Sequence, residues 1–273
     1  MSGLPVPGWV PAARRQAQQP PAAPRLPFVV AGQAVGTVAP GVLDEIALMP
    51  AFCLPFLLLK KEHGGALAWH LDATASDATT ALAALAQALR RAGRCGAWRD
   101  EQLAVCNAAG ERIGTVERGA VRPLGIATQA VHLVGSAPGG RLWVQQRAFD
   151  KPTHPGKWDT LMGGMVSAAD TLHTALERET WEEAGLHAGA LHGMAHRGHV
   201  DFARPSSDGE GVGYMVERID WFHATMPEGL VPENQDGEVE RFDLLETAEV
   251  HARLERGEFT PEAAMVLAGF YGW

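Results

Sequence analysis

Residues 164–186 read GMVSAADTLHTALERETWEEAGL, from Gly164 to Leu186. Asp170 and Thr171 are side chains that cap a helix start, and Gly185 is the residue type that closes a helix in the left-handed conformation. Between them Leu172, Ala175 and Leu176 recur at helical spacing and predict one buried edge. Glu179, Glu182 and Glu183 stand at i, i+3 and i+4, so their carboxylates share one helix face. Like charges so placed repel by about 0.2–0.5 kcal/mol per pair. A Mg²⁺ or Mn²⁺ ion takes hard oxygen ligands and would remove that repulsion. The plainer alternative is a solvated acidic face.

The complete pattern is more specific than its carboxylates. Gly164, Asp170, Arg178-Glu179, Glu182-Glu183, Gly185 and Leu186, at these intervals, resemble the Nudix box. Two positions depart from it: the first acid is usually Glu and is Asp170 here, and Thr180 stands where an aliphatic is expected. The resemblance implies an α+β fold, the Nudix α/β/α sandwich with a mixed sheet. It also implies metal-dependent hydrolysis of a diphosphate linkage. Glu179, Glu182 and Glu183 would hold the metal, helped by the Gly164 carbonyl, and Arg178 would fix the helix by pairing with a carboxylate such as Asp170.

Composition bounds the rest. The chain has 273 residues, and two domains are the better prior than one. A net charge of −9 argues against a broad basic surface for a nucleic-acid polymer. It does not exclude a small anionic substrate, because a metal and a few arginines can invert the local field. Cys53, Cys95 and Cys106 form no framework, which fits a reducing, cytoplasmic setting. No stretch reaches the ~20 apolar residues of a membrane span.

In chain order, residues 1–24 read as a flexible tail and 25–121 as a small α+β accessory domain. Residues 27–40, PFVVAGQAVGTVAP, and 103–120, LAVCNAAGERIGTVERGA, both read as hairpins and form a weak internal duplication. Between them lie a buried strand at Ala51–Leu59, stopping at Lys60-Lys61, and a helix over Asp77–Arg91. The Nudix domain would occupy 122–273. Its strands are predicted at Ala127–Val134, Leu142–Gln146, Leu191–Val200 and Gly213–Thr225, with a loop over Arg204–Gly211 and a final helix from Pro261.

Outside the box, Gln145-Gln146-Arg147 with Lys151, Pro155–Asp159, Pro232–Glu240 and Gly257–Pro261 resemble the Nudix branch fused in some organisms to thiamine pyrophosphokinase. That branch is implicated in hydrolysing damaged thiamine diphosphate, and 8-oxo-dGDP is the alternative substrate class. Arg147, Lys151 and Lys157 are candidates to hold the diphosphate, and Trp158 to stack on a ring. Glu238 and Glu240 alternate about Val239 and are the candidate general bases, with Glu217 a weaker choice. A homodimer is compatible with the sequence. An isoprenoid diphosphate isomerase on this fold would need a Cys that the Nudix region lacks. A non-catalytic ligand sensor is the rival from another class, but such domains typically lose the box glutamates kept here.

Overall fold

Apolar alternation in the first half produces strands that pair into two small sheets; the computed structural model describes residues 5–48, 56–74 and 76–273. In order come α1 (Trp9–Ala17), β1 (Leu26–Val30), β2 (Gln33–Val38), α2 (Val42–Ala47), β3 (Leu57–His63), β4 (Ala66–Asp72), α3 (Ala78–Arg91), β5 (Gln102–Cys106), β6 (Arg112–Glu117) and α4 (Arg118–Val121). Four strands form one sheet in the order β2-β1-β4-β3, while among the described residues β5 and β6 pair only with each other. Helix α3 presents Ala81, Leu82, Leu85, Ala86 and Leu89 at helical spacing, all fully buried against Phe28, Val30, Leu103 and Val116.

The stretch expected to be a flexible tail carries α1, so that expectation is corrected. Val10 and Ala17 are buried, Trp9 meets Trp273 edge-on at 6.0 Å, and Arg14 donates to the Trp273 carbonyl at 2.6 Å. Pro11 is tolerated because it falls in the first turn, where its missing N–H has no helical partner to lose. Part of the predicted strand, with Cys53, lies outside the described residues. Its remainder runs past Lys60-Lys61 rather than stopping there, which an edge strand with exposed lysines accommodates.

The second half adds β7 (Ala127–Ser136), β8 (Leu142–Arg147), β9 (Trp158–Asp159), β10 (Met162–Met165), α5 (Leu172–Ala184), β11 (His192–Ser206), a distorted turn α6 (Asp208–Gly211), β12 (Gly213–Thr225), β13 (Val239–Leu245), α7 (Thr247–Glu255) and α8 (Pro261–Tyr271). Their sheet runs β11-β12-β7-β8-β13, with β10 added to β7 and β9 to β8. The β12–β7 pair is parallel and the others antiparallel, so the sheet is mixed. Alternation along β7 makes the layers. Val131 and Leu133 join the core with Ala175 and Leu176 of α5; Ala130 and Val134 join the core with Val266 and Leu267 of α8. The result is a helix–sheet–helix sandwich. Strand β11 continues through Arg204–Ser206, where a loop is expected. It is an edge strand and can carry Pro205 without losing a ladder bond.

Candidate active site

Strand β10 delivers Gly163 and Gly164 beneath α5. Helix α5 starts at Thr171, whose hydroxyl accepts from Thr174 N at 3.2 Å, and ends at Gly185 with φ 63°. Thr180, at the expected aliphatic position, is buried and donates to Leu176 O at 2.6 Å, so its hydroxyl costs no unpaired donor.

Arg178 clamps the loop to the helix. Its Nε and Nη2 bind Asp170 Oδ2 at 3.0 and 2.8 Å, Nη2 binds Met165 O at 3.2 Å, and Nη1 binds Glu179 and Glu182 at 2.9 and 3.0 Å. Burial alone would lower the Arg178 pKa, but Glu179, Asp170 and Glu182 outweigh it and raise it above the ordinary guanidinium value. Asp170 is raised by burial, yet its bonds to Arg178 and Ser167 bring it below the ordinary carboxylate value. Its shorter side chain reaches Arg178 directly.

Glu179 lies against Gly164 so closely that a Cβ at 164 would overlap its carboxylate. Glu183 is 3% exposed, and its Oε2 accepts from Gln145 Nε2 at 2.9 Å and Gly163 N at 3.0 Å. Burial pushes Glu179 up to about 7 and Glu183 up to about 8, with Arg178 opposing the first and Glu179 adding to the second. Gln145 Oε1 is buried and has no hydrogen-bond partner among the described residues. These donors are all oxygen, and the buried carboxylates are short of positive charge, which fits a hard divalent cation. Among the described residues no three His, Cys, Asp or Glu side chains already close into a ligand cage. Glu182, 43% exposed, is held by Arg178.

The remaining predicted residues divide. Arg147 lines the adjacent cleft, bonded to Thr153 O at 3.2 and 3.3 Å. Lys151 is ion-paired with Glu238. Burial pushes the Glu238 carboxyl up, but Lys151, with Arg118 and Arg99 further off, holds it below the ordinary value. Three expectations are corrected. Lys157 turns to Gly257 O at 2.6 Å, away from the cleft. Trp158 is buried in the sheet core between Arg253 and Arg241, whose guanidinium carbons stand 4.2 and 5.3 Å from its ring centre. Glu240 is the extra residue of a bulge in β13, which breaks the alternation that would put it beside Glu238. Glu217 is buried and bound by Arg122 at 2.7 Å and Thr128 at 2.9 Å, so it is a structural ion pair.

Three groups escape sequence reasoning. Gln145 is one, a polar residue on an otherwise apolar inward strand position. Asp159 and His132 are the second: buried, 3.5 Å apart, with Thr260 donating to Asp159 at 3.1 Å. The third is the set of arginines that surrounds the predicted Arg147. A cleft of about 590 Å³ extends from Gly163–Met165 between the two halves of the chain, and Arg99, Arg118, Arg122, Arg147 and Arg204 line it. Three of these come from the N-terminal side of residue 127.

The sandwich and the glycine-backed glutamate helix define one class of domain. The model of the NUDIX domain matches residues 127–264, just over half of the chain, and the chain belongs to the Nudix family. Residues 12–128 match a domain of unknown function, DUF4743. Nudix hydrolase 20 (chloroplastic) of Arabidopsis thaliana is 30% identical over 148 residues, covering 53% of this chain and 38% of that protein. An uncharacterized protein of Saccharomyces cerevisiae, YJR142W, is 25% identical over 188 residues, covering 63% and 54%. The chain thus spans roughly half, or less, of the length of these curated relatives. A solved structure, DR0079 from Deinococcus radiodurans, is 20% identical, covers 59% of this chain and 92% of that one, and gives a TM-score of 0.46. No helix among the described residues is long and apolar enough to cross a membrane.

Proposed function

We propose that this chain hydrolyses a diphosphate linkage in a nucleoside-diphosphate-like small molecule with the help of a divalent cation, Mg²⁺ or Mn²⁺. The observation that carries the reading is the pair of carboxylates packed on Gly163–Gly164: buried Glu183, and half-buried Glu179, which shares Arg178 with Asp170 and Glu182. Glu179, Glu182 and Glu183, with the Gly164 carbonyl, would hold the cation. When bound, such an ion neutralises phosphate charge and makes a coordinated water more acidic. Arg178 keeps the loop and helix in register by binding Asp170 and two of the glutamates. Arg147 offers a guanidinium to the diphosphate from the cleft wall. Glu238, kept ionised beside Lys151, is assigned proton removal from the attacking water. Phosphoryl chemistry of this kind is mostly positioning and charge stabilisation, so the chain need supply no covalent nucleophile.

The motifs outside the box support damaged thiamine diphosphate as the finer substrate assignment, with 8-oxo-dGDP as its rival. Phosphate release with Mg²⁺ from thiamine diphosphate, its oxidised analogues, 8-oxo-dGDP, ADP-ribose and NADH tests both levels. Release should fall to background in Glu182→Gln, an exposed position whose change leaves the core intact. Turnover of a nucleotide alone would keep the chemistry and discard thiamine. Silence from every compound in a folded, metal-loaded chain would leave the sensor reading.

A further inference from the structure

We propose that the N-terminal domain completes the substrate site: Arg99 and Arg118 form a phosphate-binding wall of the cleft that Gly164 also lines. The proposal rests on the hydrolase reading above and specifies which part of the substrate this wall holds, the phosphate at the free end of the diphosphate. Both arginines line the same cleft as Gly163–Met165, and its volume of about 590 Å³ suits a small molecule.

The five cleft arginines are not equivalent. Arg122 is occupied by Glu217 at 2.7 Å and Arg204 by Glu262 at 2.7 Å, while Arg147 holds the neutral Thr153 carbonyl, stands 3.8 Å from Asp159 and keeps the diphosphate role given above. The exposed Arg99 guanidinium makes no hydrogen bond or salt bridge among the described residues. Arg118 pairs with Glu101 at 2.8 Å in a half-exposed contact, the kind worth about 0–1 kcal/mol and readily exchanged for a phosphate. On the N-terminal side of the cleft these two are therefore the cations that can be recruited.

Their backbones are held in advance. Glu117, 2% exposed, uses one oxygen to accept from Arg99 N at 2.8 Å and Gly119 N at 3.4 Å, tying the two arginine-bearing turns together. A Cβ on Gly119 would stand 2.9 Å from Ala97 O, so the turns also pack tightly. Preorganised guanidiniums bind phosphate bidentately and lose less freedom in doing so.

Titration calorimetry with inorganic diphosphate in magnesium buffer, on the full chain, tests this directly. Arg99→Gln and Arg118→Gln should each weaken binding by about tenfold or more, the loss of a charged hydrogen bond. ADP-ribose, whose diphosphate is capped at both ends, should lose less than about threefold in the same variants, because no terminal phosphate is there to lose. Arg15→Gln removes the same charge from the exposed face of α1 and should leave both affinities unchanged. Wild-type affinity in the two cleft variants, an equal loss for both ligands, or no diphosphate binding by the wild-type chain would each overturn the proposal. Arginine-dependent diphosphate binding in a chain that turns over nothing would remove the hydrolase reading and leave the phosphate wall standing.

Discussion

Hairpins β1–β2 and β5–β6 share a short pattern, VGTV at 35–38 and IGTV at 113–116, and they do different work. In each, a Gly-Thr pair on the second strand is pressed against a neighbour. Thr37 N donates to Leu124 O at 2.9 Å, where the chain crosses between its halves, and Arg25 adds bonds to Thr37 O at 2.6 Å and Pro123 O at 3.0 Å. Thr115 N donates instead to the hydroxyl of Thr79 on α3, at 3.1 Å. The first hairpin is absorbed into a four-stranded sheet. The second pairs with no other strand, and its edge meets the box loop: Ala168 N donates to Gln102 O at 2.7 Å, and Arg112 donates to Ala168 O at 2.7 Å. The same hairpin also runs on into Arg118. One local pattern thus serves as structural joint or as site wall, and what its free edge meets decides which.

The two glycines should separate these roles. A Cβ on Gly36 would overlap Leu124 O and stand 3.1 Å from Gly125 O, both backbone atoms that cannot rotate away. Gly36→Ala should cost about 3 kcal/mol, read from urea unfolding, because the two halves must move apart. A Cβ on Gly114 would stand 3.1 Å from the Thr79 hydroxyl, 3.2 Å from Thr79 N and 3.4 Å from Leu82 Cδ1, crowding that a shift of a few tenths of an ångström relieves. Gly114→Ala should change stability by about 1 kcal/mol or less, since the entropy lost by the unfolded glycine partly offsets the crowding. Equal costs at the two positions would mean that the inter-domain joint is softer than its contacts imply.

What could be read beforehand follows from how local each cause is. Helix α5 was legible because cap, stripe, glutamate spacing and closing glycine all lie within one segment, and β12 because its apolar run is bounded by glycine and a turn. Helix α1 was hidden by Pro11 and the prolines before it, since the contact that stabilises it, Trp9 on Trp273, joins opposite ends of the chain. Lys157 and Trp158 looked like site residues because their loop borders the box in sequence. The pairing of β9 with β8 turns Trp158 inward, and Lys157 bonds Gly257 O just past the end of α7. Arg99 and Arg118 carried no signal at all, because a cation becomes part of a cleft only through the partner that forms the other wall.

Arg112 sharpens the comparison with the smallest expected effect. Its side chain is exposed and its bond to Ala168 O is one of two ties between the second hairpin and the box loop. Arg112→Ala should move the unfolding free energy by less than about 0.5 kcal/mol, as exposed substitutions do. Ala168, however, lies between Gly164 and Asp170, so loosening it relaxes the loop that Arg178 must clamp. The Mg²⁺ concentration needed for half-maximal activity should rise by a few fold while thermal stability stays put. If both quantities stay at wild-type values, the Ala168 N bond to Gln102 suffices to hold the loop, and the hairpin contributes to the site through its arginine wall alone.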